Sequence, residues 1–118
     1  MQKTFVIITT NNPDKATRAA QFAKLAAERG ALAGIMLVDD GVYLAEPNVM
    51  DRVRAVTGDK FSEHIASLTT DFPMLVCKPC CMARGLEGDE ALYYKWNLGT
   101  GKDALDIILS PGVTTLTF

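Results

Sequence analysis

The chain has 118 residues, 48% of them hydrophobic and 22% charged, with a formal net charge of −2. This is the balance of an ordinary globular domain with enough chain to close its own core, so one domain spanning residues 1–118 is expected. The 12 Lys and Arg are dispersed, which argues against a nucleic-acid partner, and the longest uncharged apolar stretch, Gly30 to Val38, is far too short to span a bilayer.

Met1-Gln2-Lys3-Thr4 runs straight into a strand-like segment without a signal-peptide pattern, so a cytoplasmic location is expected. Thr4 to Thr9 is β-branched and continuously apolar, as a strand buried on both faces should be. Asn12-Pro13-Asp14 then supplies a capping side chain, a proline at the first helical position and an acid in the first turn. The helix predicted from there to Gly30 carries Ala16, Ala19, Ala20, Ala23, Ala26 and Ala27 on one stripe, with Phe22 and Leu25 beside it. So much alanine implies close packing on a sheet. Ala33 to Val38 reads as a second buried strand, ended by an Asp39-Asp40-Gly41-Val42 turn.

Val49, Val53 and Val56 are spaced for a short helix between Val49 and Thr57. After Gly58, Asp59 can cap a helix whose inner face is Phe61, Ile65 and Leu68. Pro73 opens a third strand, Met74 to Cys77, and a short helix from Pro79 to Arg84 follows. Ala91 to Trp96 is the expected fourth strand. Gly99-Thr100-Gly101 introduces a helix from Asp103 to Leu109, Pro111-Gly112 stops it, and Val113 to Phe118 is the last strand. Such alternation means a parallel sheet covered by helices on both faces, in which ligands bind at the carboxyl ends of the strands. Asn11-Asn12, Asp39-Asp40-Gly41 and Cys77 to Cys81 all fall at such ends, and their convergence argues for a cleft. Asn11, Asp40 and Gly41 are therefore candidate substrate-binding residues.

All three cysteines, Cys77, Cys80 and Cys81, lie within five positions where a strand hands over to a helix. A cysteine there faces the positive end of the helix dipole, which favours the reactive thiolate, and Lys78 and Arg84 can add positive potential. The odd count leaves at least one thiol unpaired within the chain.

The whole chain resembles the DsrE/DsrF/TusD family of small α/β proteins of sulfur trafficking. The resemblance rests on the opening strand with Asn12-Pro13-Asp14 and its alanine-rich helix, and on Val38-Asp39-Asp40-Gly41-Val42, similar to the family's recurrent "DGV" turn. It rests equally on Val76-Cys77 followed seven residues later by Arg84-Gly85, and on the closing Thr115-Leu116-Thr117-Phe118. It implies a three-layer α/β/α sandwich, flavodoxin-like, with a mainly parallel sheet of about five strands. It also implies a homo-oligomer (dimer, trimer or hexamer), sulfur donor and acceptor proteins as partners, and a persulfide carried on Cys77. No cofactor is called for.

Two cysteines go beyond that pattern. Cys77-Lys78-Pro79-Cys80 is a CxxC with proline in third place, able to close a disulfide and so resolve a persulfide. Too few residues follow Cys80 for a thioredoxin fold. On a helix Cys81 points about 100° from Cys80, so one of them is expected in the core, Cys81 by preference. The leading expectation is a sulfur carrier or sulfurtransferase with Cys77 and Cys80 as its reactive thiols and Lys78 and Arg84 beside them. The alternatives are a soft-metal module built on the three cysteines and a non-catalytic assembly subunit. The only histidine, His64, has nothing in its spacing to bring it to the cysteines, and reads as an ordinary exposed or half-buried helix residue. Asp39 and Asp40 read first as turn formers, and Gly99-Thr100-Gly101 as a turn and cap rather than a phosphate loop. Tyr93, Tyr94 and Trp96 are either strand residues or an aromatic patch for self-association.

Overall fold

A computed structural model describes residues 2–68, 71–87, 92 and 95–118. Five strands, β1 (Lys3–Ile8), β2 (Leu32–Leu37), β3 (Met74–Cys77), β4 (Asn97–Gly99) and β5 (Val113–Thr117), form one sheet in the order β4-β3-β2-β1-β5. Every pairing is parallel, with Val6 opposite Ile35, Leu37 opposite Val76 and Cys77 opposite Gly99. The carboxyl ends of β1 to β4 therefore share one edge of the sheet.

Alternate residues of β1, β2 and β3 feed two separate cores. On one face Val6, Ile8, Ile35, Leu37, Met74 and Val76 pack under helix α1 (Pro13–Glu28), whose Ala16, Ala19, Ala20 and Ala23 are completely buried. Small side chains let that helix approach the sheet closely. The same face is completed by α2 (Pro47–Met50), by α3 (Phe61–Ala66) through Phe61 and Ile65, and by α4 (Lys78–Ala83) through Cys81. Each large apolar side chain buried this way stabilises the fold by roughly 1.5–3 kcal/mol. On the other face Phe5 and Met36 pack with Ala104 of α5 (Gly101–Ile108).

The starts of α1 and α5 follow the capping rules. The Asn12 side chain accepts the Lys15 N–H at 3.1 Å with Pro13 just inside α1, and Thr100 caps α5 in a reciprocal arrangement with Asp103. Of the residues flanking the alanine stripe, Phe22 and Leu25 point outward, and Phe22 meets Phe118 edge-on with ring centroids 5.7 Å apart.

Four local expectations need correction. The residues after β2 are not a simple turn but a 3-10 helix, Asp39–Ala45. Helix ends at Met50 rather than continuing to Thr57. The chain instead doubles back in a small antiparallel bridge between Arg54 and Lys60, turned by Gly58 at φ 96° and fastened to α1 where Asp14 accepts the Val56 N–H at 2.8 Å. Asp59 does not cap α3; Lys60 occupies that position, and the Asp59 carboxylate is taken by His64, Arg18 and Thr57. The fourth strand is Asn97–Gly99, beyond the expected segment. Ala91, Tyr93 and Tyr94 of that segment lie outside the described residues, while Trp96 is buried in the first core. Among the described residues no helix is long and apolar enough to cross a membrane.

Candidate functional site

Beyond β3 the chain turns onto the face that carries α1, because Cys81 of α4 joins that core. Beyond the neighbouring β4 it turns the other way, because Ala104 of α5 joins the opposite core. Two adjacent strand ends whose continuations diverge open a crevice, the usual ligand position in a parallel sheet. Cys77 and Gly99 are the paired residues at that divergence.

Cys77 is the last residue of β3 and the N-cap of α4, with Pro79 in the first turn. Its Sγ accepts the backbone N–H of Cys80 at 3.4 Å, as a capping oxygen would. Cys77 is half-buried and touches both cores. Cys80 is also half-buried, and its thiol donates to Asp39 Oδ1 at 3.9 Å. Cys81 is only 1% exposed, so of the two neighbours it is the one turned into the core, the preferred of the two expected arrangements. All three are free thiols. With Cys81 turned into the core they do not converge, and among the described residues no three His, Cys, Asp or Glu side chains are grouped to hold a metal.

The electrostatics correct one expectation. Burial, followed by the adjacent Cys80 thiol, pushes the Cys77 thiol up to about 11, although the Cys80 backbone N–H pulls the other way. The positive groups expected to favour its thiolate are paired elsewhere, weak or exposed to solvent. Helix α4 has six residues and a correspondingly small dipole, and Lys78 is exposed. Arg84 is turned to Asp40 Oδ1 at 3.1 and 3.2 Å and to the Cys80 carbonyl at 3.2 Å, and lies 6.0 Å from the Tyr43 ring centre. The Cys77 thiol therefore predominates at neutral pH, and alkylation of Cys77 by iodoacetamide should accelerate about tenfold per pH unit from pH 7 to 10. Peptide mapping of the alkylated protein measures this; a flat profile above pH 8 would show an already ionised thiol.

The other expected site residues divide into those brought to the cysteines and those left apart. Asp40 reaches α4 through Arg84, so this pair joins the 3-10 helix to the cysteine helix. Gly41 is buried, and a Cβ placed on it would lie 2.1 Å from the Ile8 carbonyl oxygen, so its contribution is close packing against the end of β1. Asn11 is exposed in the loop after β1 and has no hydrogen bond or ion pair among the described residues. His64 is held by Asp59 at 2.6 Å, in a network with Arg18 that ties α3 to α1.

Two features escaped the sequence reading. Asp39 adopts φ 50°, the one described non-glycine residue at positive φ, and this aims its carboxylate at Cys80. Only the Asp-Asp-Gly composition, tolerant of left-handed backbone, hinted at it. Beside the cysteines, Lys78, Cys81, Met82, Leu86, Glu87 and Leu98 line a groove of about 260 Å³ between α4 and β4. Larger hollows lie at the amino ends of the strands, around Lys3, Leu32 and Phe72 and around Pro73 and Asn97, away from the thiols.

A parallel α/β sandwich with a cysteine ending its third strand and capping the helix beyond defines the class of protein. The DsrE/DsrF-like family profile matches residues 2–118, and the chain belongs to that family, which is associated in general terms with sulfur relay. No curated protein matches the chain. Among solved structures, the crystal structure of the ychN protein from E. coli is similar over 100% of both chains, with a TM-score of 0.75 and 23% sequence identity, a likeness of fold.

Proposed function

We propose that this protein carries sulfane sulfur as a persulfide on Cys77 and passes it to a partner protein. The observation that carries the reading is the position of Cys77 Sγ. It sits at the carboxyl end of β3, where the continuations of β3 and β4 diverge, with the Cys80 N–H directed at it from 3.4 Å. A donor N–H at that place stabilises negative charge on sulfur when Cys77 acts as a leaving group.

In the loading step the Cys77 thiolate attacks the outer sulfur of a donor persulfide. The donor's S–S bond breaks, and its inner sulfur leaves with the electron pair and takes up a proton. Cys77 then bears S–SH. In delivery an acceptor thiolate attacks that outer sulfur and Cys77 departs as thiolate. Cys80 offers a second exit: its thiolate attacks Cys77 Sγ, a Cys77–Cys80 disulfide forms and hydrosulfide leaves. An external dithiol reductant resets the pair.

Intact mass after incubation with polysulfide tests the proposal. The expected result is a gain of about one sulfur atom per chain that a reductant reverses; no gain would refute the reading. A Cys80→Ser variant should load fully yet form no intramolecular disulfide, which non-reducing mass analysis detects. Loss of loading in that variant would make Cys80 part of the loading site.

The working unit in this reading is a homo-oligomer (dimer, trimer or hexamer) meeting sulfur donor and acceptor proteins in the cytoplasm. Support for assembly comes from α5 and the residue after it, where Leu105 and Leu109 are 53% and 76% exposed. Apolar side chains so exposed on one short segment suit burial against another chain.

A further inference from the structure

A carrier with a resolving thiol one helical turn from its persulfide has a retention problem, because Cys80 attack would discharge the sulfur before any acceptor arrives. The surroundings of Cys80 contain an answer. From the 3-10 helix come Asp39, Asp40 and Tyr43, from β3 comes Cys77, on α4 itself stand Lys78 and Cys81, and Arg84 follows as its C-cap. Arg84 neutralises Asp40, and its remaining bond goes to the Cys80 backbone oxygen rather than to sulfur. Cys81 is turned into the core and Lys78 is exposed. Asp39 has no ion pair among the described residues, and its Oδ1 accepts from the Cys80 thiol at 3.9 Å. A left-handed backbone at φ 50°, uncommon outside glycine, accompanies that aim.

Resting on the persulfide reading above, we propose that Asp39 is a positioning residue that restrains Cys80 through this thiol–carboxylate contact, so that sulfur stays on Cys77 until an acceptor thiol takes it. The reaction it restrains is balanced within the protein. The persulfide on Cys77 and the Cys80 thiol become a Cys77–Cys80 disulfide and hydrogen sulfide, the sulfane sulfur being reduced as the two cysteine sulfurs are oxidised. A carboxylate beside the attacking sulfur repels the negative charge which that sulfur carries as it attacks.

The test compares wild type with Asp39→Asn, which removes the charge while keeping the shape, asparagine being among the residues most tolerant of left-handed backbone. Both proteins are loaded with polysulfide and freed of excess. Hydrosulfide release and disulfide formation are then followed at low and high salt. A unit charge about 4 Å away in water is worth a factor of about five, so Asp39→Asn should release sulfide about fivefold faster at low salt. High salt should accelerate the wild type toward the variant and leave the variant unchanged, a response that a purely structural role would not produce. Release from Asp39→Asn at the wild-type rate or slower, or equal salt dependence in both, overturns the proposal. Failure of both proteins to load would instead refute the persulfide reading. In that event iodoacetamide labelling of Cys80, which needs no sulfur, decides the Asp39 contact: about fivefold faster labelling in Asp39→Asn supports the restraint, and equal labelling overturns it.

Discussion

A Cys77→Ser variant is expected to take up no sulfur from polysulfide, while its fold and melting temperature should stay close to those of the wild type. The two halves of this result have separate causes. Persulfide formation requires a thiolate to attack sulfane sulfur, and a serine hydroxyl supplies no comparable nucleophile at any workable pH. Stability is retained because Cys77 is the N-cap of α4, a position serine fills well: its oxygen accepts the Cys80 N–H that Sγ accepts at 3.4 Å. Intact mass with and without reductant, beside a thermal melt, makes the comparison. Loading of the variant at the wild-type level would exclude Cys77 as carrier, whereas loading at some lower level that disappears in a Cys77→Ser, Cys80→Ser double variant would move the role to Cys80.

Gly41→Ala should be the most damaging single methyl addition near the site. The added carbon would stand 2.1 Å from the Ile8 carbonyl oxygen and 2.9 Å from its carbonyl carbon. Both are backbone atoms, and the same oxygen accepts the Val38 N–H at 3.0 Å, so the obstacle cannot rotate away. The 3-10 helix must lift off β1 or the last β1–β2 bond must break. Either movement carries Asp39 and Asp40 away from α4. Overpacking with no route for relaxation costs about 3 kcal/mol or more, a fall in melting temperature of roughly 10 to 20 °C in a chain of this length. A melt within a few degrees of wild type would show that the 3-10 helix does not approach β1 so closely. The substitution should also slow sulfur loading, since it shifts Asp40 and with it the Arg84 pair that joins the 3-10 helix to the cysteine helix.

The elements legible in the sequence were those whose signal is local. The β-branched run from Phe5 to Ile8 and the Asn12-Pro13-Asp14 start need only neighbouring residues to be interpreted, and both stand as expected. So does the separation of Cys80 from Cys81, because a 100° step per residue divides them whatever else the chain does, and Cys81 is the one in the core. The segment from Val49 to Thr57 misled for the opposite reason. Its valines have helical spacing, yet Val53 is buried and Val56 is 92% exposed, because Asp14 on α1 captures the Val56 N–H and Gly58 permits the reversal. That competition is decided between segments 42 positions apart. Strand β4 was placed too early because three residues at a sheet edge, two of them exposed, leave almost no alternation to detect.

By itself the sequence determined the class of fold, the family and the turn on which the thiols stand, since periodicity, caps and the clustering of all three cysteines are properties of short stretches of chain. Only the tertiary structure decided what those thiols face. Whether Cys77 is a ready thiolate depends on how deeply the two cores bury it, and burial raises it to about 11. Whether Arg84 is free for an anion depends on Asp40, and whether Cys80 is restrained depends on Asp39, each some 40 residues away along the chain. Desolvation and charge pairing act through space over a few ångströms, and spacing along the sequence carries almost none of that information.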